Sequence, residues 1–458
     1  MSDQHRETNE NDIQTGSLFA ESVSRRQFLK LAALAGATLG VGGGLASLVG
    51  GCGTEEAAST TTAPADGVTT TLGATTTVSS GPSAPAVIKI GNLTDFAIPP
   101  LVNSRKALEA VVEGINSDGG WDVGGQNYTL ELISYDTKSD PNTARSAVER
   151  LISQDKVNVI FGDMTASNWA SETEAAKVLA LVGTPLTDVY KPEYKYTYVT
   201  SKLPTEAAAR LGYLPTYIGK PINKYVLIFP DDPPGQNQMK DVVGTLTALG
   251  ANFESVTFAA STTDFSAVAT KALSINGDCV IIGGSPVMFG QMYRALAAAG
   301  SKAFVTITAE VSLGELNTLI PITELDGTVV GLMSWDTATP NPVCQEVVDY
   351  YAKKYGKWDD PSFDIDIFYS FKAALFAAGA LDNDKMAEAL GGGLEFDGPH
   401  GKSKMIPRAD AGVADRTVCL IMEYSDATLM GGEATNYKTI PLDQVESYVL
   451  TAWAARKP

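Results

Sequence analysis

Histidine is almost missing from this 458-residue chain, which has two, His5 and His400, and cysteine is limited to four. With so few imidazoles, no Ser/His/Asp or Cys/His arrangement presents itself, and His400 lies in the Gly-Pro-rich stretch Gly398-Pro399-His400-Gly401. Cys52, Cys279, Cys344 and Cys419 are too widely spaced for a metal-binding pattern. At most one disulfide can form among the last three, and the apolar run Cys279-Val280-Ile281-Ile282 predicts a buried thiol. No phosphate-cradling Gly-rich lysine loop is found, and no cofactor is expected. Carboxylates are plentiful enough that composition alone leaves a paired-acid hydrolase open. With no assembled constellation, however, catalysis is not expected. Positive charge is also short, 34 Lys and Arg against 53 Asp and Glu for a net charge of −19, so nucleic acid is not expected as a partner. Scattered surface carboxylates of this kind serve solubility and say little about ligands.

What is present begins at the N-terminus. Ser24-Arg25-Arg26-Gln27-Phe28-Leu29-Lys30 precedes an uncharged run from Leu31 to Gly51 rich in Ala, Gly and Leu. Paired arginines before a weakly apolar segment have the pattern of a twin-arginine export signal. The run ends at Val49-Gly50-Gly51-Cys52, which resembles a lipobox, with Cys52 as the thiol that takes the lipid. At about 20 residues the run is also long enough for a transmembrane helix, but its many glycines suit a permanent span poorly. Residues 1–51 are therefore expected to be a removable signal. Removing 51 of 458 residues leaves 407, and because that segment holds four basic and five acidic side chains, −19 becomes −18.

Residues 52–86 turn to Thr, Ala, Ser, Gly and Pro, with Thr60-Thr61-Thr62, Thr69-Thr70-Thr71 and Thr75-Thr76-Thr77. Such a stretch cannot bury enough apolar surface to fold. It predicts a tether with a reach of about 30 Å by coil statistics.

The remainder is long enough for two domains. Strand patterns at Val87-Ile90, Tyr128-Ser134 and Val157-Phe161 alternate with helical ones at Leu101-Asn116 and Asn142-Gln154. After Gly162-Asp163-Met164-Thr165-Ala166-Ser167 a helix is expected from about Asn168 to Leu181, then a strand from Val182 to Leu186. The same grammar restarts with a helix at Thr205-Tyr217, strands at Tyr225-Phe229, Phe253-Phe258 and Cys279-Ile282, and helices ending near Leu249 and Ala299. The fold class expected is α/β, two Rossmann-like lobes with parallel sheets and a cleft between them.

The order of several segments resembles the type I periplasmic binding proteins, in their leucine/isoleucine/valine-binding branch. These are Ile88-Lys89-Ile90-Gly91, Ile115-Asn116-Ser117-Asp118-Gly119-Gly120, Asp136 with Asp140-Pro141, Val159-Ile160-Phe161-Gly162, and Phe396-Asp397-Gly398-Pro399-His400-Gly401-Lys402. The resemblance implies the substrate-binding component of a branched-chain amino acid ABC transporter, with a permease and an ATPase as partners. It also implies lobes joined by three crossovers, placed near Leu203, Trp335 and Leu420. Lobe 1 would then comprise 87–204 and 336–419, and lobe 2 would comprise 205–335 and 420–458. A ligand-sensing receptor uses the same hinged body and stays open as an alternative.

In open parallel sheets ligands gather at the strand carboxyl ends, where helix N-termini offer free N–H groups. Thr165, Ala166 and Ser167 occupy such a position, as do Thr187 and Asp188 after the next expected strand. The resemblance implies that these two loops clamp a ligand carboxylate, although Thr165 or Ser167 could equally serve as a helix N-cap. Glu310, after the apolar run Ala303-Ile307, aligns with the acid that meets an ammonium group in amino-acid-binding relatives. Several features depart from the family pattern. The first loop, Leu93-Thr94-Asp95-Phe96-Ala97-Ile98-Pro99-Pro100, has no glycine; Pro234 and Ser285 stand where aromatics are common; Trp169 and Trp335 add indole surface. The candidate ligand residues are thus Phe96, Thr165, Ala166, Ser167, Trp169, Thr187, Asp188, Ser285, Glu310 and Trp335, with specificity altered from the branched-chain type.

Overall fold

The computed structural model describes residues 85–454 except 184–188, 190, 192, 202–203, 312, 333–340, 357–364 and 408–417. The expected signal with Cys52, all but the end of the tether, the Leu203 and Trp335 crossovers, Thr187 and Asp188 lie outside the described residues. No helix among the described residues is long and apolar enough to cross a membrane.

The chain runs β1 (Ala86–Thr94), α1 (Pro99–Ser117), β2 (Trp121–Val123), β3 (Gln126–Asp136), α2 (Pro141–Arg150), β4 (Val159–Gly162), α3 (Ala170–Ala176), β5 (Leu179–Val182) and β6 (Thr197–Val199). It continues with α4 (Pro204–Ile218), β7 (Tyr225–Pro230), α5 (Pro233–Ala248), β8 (Phe253–Phe258), α6 (Ser266–Ile275), β9 (Cys279–Ile282), α7 (Pro286–Ala298), β10 (Phe304–Val311), α8 (Leu313–Leu319) and β11 (Val329–Leu332). Then come α9 (Pro342–Tyr355), α10 (Ile365–Ala378), α11 (Asn383–Gly391), β12 (Glu395–Gly398), β13 (Gly401–Pro407), β14 (Val418–Met422), β15 (Tyr424–Met430), β16 (Glu433–Ile440) and α12 (Leu442–Ala454).

These strands form two sheets. One has nine strands in the order β12-β13-β14-β6-β5-β4-β1-β3-β2, the other seven in the order β16-β15-β11-β10-β9-β7-β8. Their centres are parallel, with β1 paired to β3 and β4, and β9 to β7 and β10. Each sheet centre is covered on both faces, as parallel sheets require. The period of two is visible residue by residue: Val159 and Phe161 of β4 enter the core built with α1, α9, α10 and α11, while Ile160 enters the opposite core with α2 and Trp169. In β9, Val280 and Ile282 face one core and Cys279 and Ile281 the other. Cys279 and Cys344 are buried free thiols, and burial pushes the Cys279 thiol well up.

One local expectation is corrected. The helix expected from Asn168 to Leu181 is a single 3-10 turn at Ala166–Asn168 followed by α3, with β5 where its end was expected; of the strand expected at Val182–Leu186, residues 184–186 lie outside the described residues. Lys177 adopts a left-handed conformation that ends α3. The wholly buried run Leu179-Ala180-Leu181-Val182 then pairs between β4 and β6. Four apolar residues in a row carry no period that separates strand from helix.

The chain passes between sheets at Glu423, just past the expected Leu420, because β14 continues in the nine-stranded sheet to Met422. The C-terminal helix also differs from its expected place in lobe 2. Leu442, Val445, Val449 and Trp453 of α12 join the core of the nine-stranded sheet, alongside Val199, Ile406 and Ile421. Lys404 of β13 bonds Glu446 of α12 at 2.8 Å. Its apolar stripe simply finds the uncovered face of β13 and β14. The helix still touches the other lobe, since Tyr448 lies where a Cβ on Gly212 of α4 would meet it at 2.6 Å.

Candidate functional site

The carboxyl ends of β1, β3 and β4 stand side by side, so the loops that follow them are neighbours. Two aspartates stitch the three loops together. Asp163, after β4, accepts from the Thr165 N–H at 2.9 Å and the Thr165 hydroxyl at 2.5 Å through Oδ1. Its Oδ2 accepts from the hydroxyl of Thr137, after β3, at 2.8 Å. Asp95, after β1, accepts from the Ala97 N–H at 2.8 Å and from the Ser139 hydroxyl at 2.6 Å. Asp136 adds bonds from the N–H groups of Phe96 at 3.2 Å and Lys138 at 3.0 Å. Lys138 and Ser139 are held at positive φ, 52° and 50°, a conformation that non-glycine residues adopt at a cost. Burial pushes the Asp163 carboxyl above the usual range, against the pull of the Thr165 and Thr137 hydrogen bonds, and the charge on Asp95 pushes the same way.

The β4 loop continues inward. Trp169 is wholly buried and its Nε1–H donates to the Thr165 hydroxyl at 3.1 Å. Its ring lies so close to Gly162 that a Cβ there would come within 2.4 Å of Cζ2. A side chain at 162 would displace the indole.

The expected site residues therefore separate. Both polar donors of Thr165 turn inward to Asp163, Ala166 is wholly buried, and Trp169 contributes no surface. Ser167 is half-buried, and its backbone N–H has no acceptor among the described residues. Phe96 of the β1 loop is 40% exposed, with the Arg105 guanidinium 4.8 Å from its ring centroid, and Met164 of the neighbouring β4 loop is 45% exposed. The β1 and β4 loops thus offer a backbone donor next to apolar and aromatic surface.

In the other sheet, Ser285 is exposed and caps α7, accepting from the Met288 N–H at 3.4 Å. Glu310 lies within β10 rather than after it, its backbone aligned with Gly331 of β11. The β10–β11 register shifts between Thr306 and Glu310. Arg210 of α4 fills that irregularity: it donates to the Thr306 hydroxyl at 3.2 Å and to the Ile307 carbonyl, and it pairs with Asp426 of β15 at 3.0 Å. Both members of the pair are essentially inaccessible to solvent. Asp426 also aligns with Gly331, so the pair lies one strand away from Glu310. Nearby, Gln238 accepts from the Gly284 N–H at 2.9 Å and from Thr308 at 3.4 Å.

Sequence reading missed Asp95, Thr137, Ser139, Asp163, Arg210 and Asp426 as organisers of the site. The first four sit at strand ends, where their position was the available signal. Arg210 and Asp426 are 216 residues apart and carried none. Among the described residues no group of three or more His, Cys, Asp or Glu side chains could hold a metal ion.

Comparison with known proteins gives this arrangement its family. The sequence profile of the periplasmic binding proteins matches residues 87–425, and the chain belongs to that family. It is similar in structure to a branched-chain amino acid ABC transporter periplasmic ligand-binding protein from Burkholderia xenovorans, at 18% identity over 78% of this chain and 96% of that one, TM-score 0.64. It is also similar to the branched-chain amino acid transporter substrate binding protein of Streptococcus pneumoniae in complex with isoleucine, at 18% identity, 77% and 99% coverage, TM-score 0.57. A third likeness is to a solute binding protein of an ABC transporter from Rhodopseudomonas palustris in complex with 3,4-dihydroxybenzoic acid, at 20% identity, 78% and 98% coverage, TM-score 0.57. At these identities the likeness establishes the fold, which is the type I periplasmic binding protein fold with its two sheets as lobes.

Proposed function

We propose that this chain is an extracytoplasmic solute-binding lipoprotein of an ABC importer, which captures an amino acid or another small carboxylate between its lobes by hinge closure. In this reading residues 1–51 are a twin-arginine signal, Cys52 carries the lipid, and 52–86 tether two lobes, one built from 87–204, 336–422 and the α12 helix, the other from 205–335 and 424–440. A permease and an ATPase receive the ligand. The observation that carries the proposal is the Ser167 N–H, left without an acceptor among the described residues at the end of a parallel strand, where backbone donors favour an anion. Glu310, and the loop of Thr187 and Asp188, would complete the pocket, with Ser285 and Trp335 at its margin.

A second reading, an aromatic carboxylate as ligand, is favoured by the exposed Phe96 and Met164 in the β1 and β4 loops. A thermal-shift screen of the full chain against amino acids, amides, urea and benzoates separates the two, since a ligand that binds the native state raises the melting temperature by mass action. An amino acid giving the largest shift supports the first reading, and a benzoate the second. No shift from any compound sinks both. Anchoring is tested separately by fatty-acid labelling, which Cys52→Ser should abolish. Closure is tested by scattering, since saturating ligand should shrink the radius of gyration.

A further inference from the structure

We infer that Asp163 is the positioning residue of the first-lobe ligand loop: by accepting from Thr165 and Thr137 at once, its carboxylate fixes the turn that presents the Ser167 N–H. The inference rests on the reading of that N–H as a ligand donor, and it adds a residue that would not touch the ligand.

The geometry is a chain of donors ending on one carboxylate. The Trp169 indole donates to the Thr165 hydroxyl at 3.1 Å, that hydroxyl donates to Asp163 at 2.5 Å, and the Thr165 N–H converges on the same oxygen at 2.9 Å. The other oxygen takes the Thr137 hydroxyl at 2.8 Å, from a different loop. Ala166 then donates its N–H to the Asp163 carbonyl at 3.2 Å, so the turn closes on the same residue. The N–H of Ser167, two residues past Thr165, makes no bond inside this turn. A charged acceptor makes such bonds roughly twice as strong as a neutral one. Three donors on one carboxylate favour the ionised form, because a protonated carboxyl accepts more weakly and turns one of its own sites into a donor.

The surroundings make that ionisation sensitive. Burial raises the Asp163 carboxyl, and Asp95 from the β1 loop adds a like charge. Asp136 and the exposed Lys138 occupy the turn after β3, while Arg145 of α2 is paired with Glu172 of α3 at 2.5 Å. On acidification Asp163 therefore takes up a proton ahead of an ordinary aspartate, and the bonds from its three donors weaken as the acceptor loses its charge. The indole at the end of the chain should register this without any ligand.

The test follows the Trp169 Nε1–H resonance of the full chain with ¹⁵N-labelled tryptophan, assigned through Trp169→Phe. In the wild type it should move on acidification from neutral pH, and in Asp163→Asn it should not. Thr137→Val removes a hydrogen bond that favours the charged form, so its midpoint should lie at higher pH than wild type. This second variant keeps the idea testable should Asp163→Asn fold poorly. A resonance that titrates identically in Asp163→Asn, or a Thr137→Val midpoint that stays put or falls, overturns the inference. With the compound that gives the largest thermal shift, Asp163→Asn at neutral pH should bind on the order of tenfold more weakly, the worth of one charge-assisted bond. Unchanged binding would also overturn it. If no compound binds even the wild type, the functional reading fails, while the resonance still reports on Asp163 alone.

Discussion

The two lobes use charge in opposite ways. In the nine-stranded lobe, Asp163 and Asp95 sit at the strand ends with hydroxyls and N–H groups as partners and, among the described residues, no cation bonded to either. In the seven-stranded lobe, Asp426 of β15 is fully buried and paired with Arg210. The first arrangement shapes loops and leaves its charge unneutralised. The second neutralises its charge and braces an irregular strand. Disturbing the first should alter a surface, and disturbing the second should alter the fold.

Asp426→Asn gives the sharpest contrast and the largest expected effect. It removes the Asp426 charge from the buried Arg210 guanidinium, and breaking such a pair costs about 3–5 kcal/mol. Urea denaturation of the full chain should show that loss, whereas Arg210→Met with Asp426→Leu together should recover most of it, because a well-packed apolar replacement avoids desolvating either charge. A loss below about 1 kcal/mol for Asp426→Asn, the value of an exposed pair, would mean the two lobes do not differ in this way.

How much of this difference was legible in the sequence follows from separation along the chain. The strands at Val87-Ile90, Tyr225-Phe229 and Cys279-Ile282 announce themselves as short apolar runs bounded by polar turns, and each is a central strand in the structure. Leu179-Ala180-Leu181-Val182 is an equally apolar run, but it follows a helical pattern without a glycine or proline between, so it was absorbed into the helix. The left-handed residue that ends the helix is Lys177, a type that gives no such warning. Asp163 was visible as a residue in a strand-end loop. Its partner Thr137 comes from another strand's loop, and Arg210 reaches Asp426 only once both crossovers are folded.

On binding, the proposed contacts should rank by charge. Glu310→Gln keeps the shape of the side chain and removes its charge. If Glu310 meets a ligand ammonium, the loss is about 2–4 kcal/mol by analogy with truncated buried pairs. Ser167→Ala removes one hydroxyl but keeps the N–H, so the loss should be about 1.5 kcal/mol at most, a neutral group's hydrogen bond. Titration calorimetry with the compound selected by thermal shift checks both. A Glu310→Gln variant that binds like wild type leaves a purely anionic ligand, such as a benzoate, as the surviving reading.

The lobes should also part company on acidification. The folded-state carboxyl of Asp163 lies above its unfolded value, so between the two the native state holds more protons and its stability rises as pH falls. Asp278, beside β9, is held below the usual range by the N–H of Asn223, so its contribution is present above the unfolded value and lost as pH falls through the folded one. Melting temperature against pH should therefore fall more steeply on its acid side in Asp163→Asn, which loses the opposing rise. Asp278→Asn should instead soften the fall. A wild-type curve reproduced by Asp163→Asn would remove Asp163 from the account.

The smallest effects compare two helix caps. Asn341, in the nine-stranded lobe, accepts from the Cys344 N–H at 2.9 Å, and its Nδ2 donates to the Pro399 carbonyl at 2.8 Å. It therefore caps α9 and ties that helix to the β12–β13 turn. Ser285, in the other lobe, makes a long 3.4 Å cap bond from an exposed position. Replacing a good cap by alanine costs about 0.5–2 kcal/mol, and Asn341→Ala should fall in the upper half of that range because a second bond goes with it. Ser285→Ala should cost about 0.5 kcal/mol or less, since a bond at that length is already weak. That near-neutrality makes Ser285 informative. A stable Ser285→Ala variant with weakened binding would assign the hydroxyl to the ligand, and one with wild-type affinity would confine it to capping α7. A variant as destabilised as Asn341→Ala would show that the cap on α7 is stronger than its geometry implies.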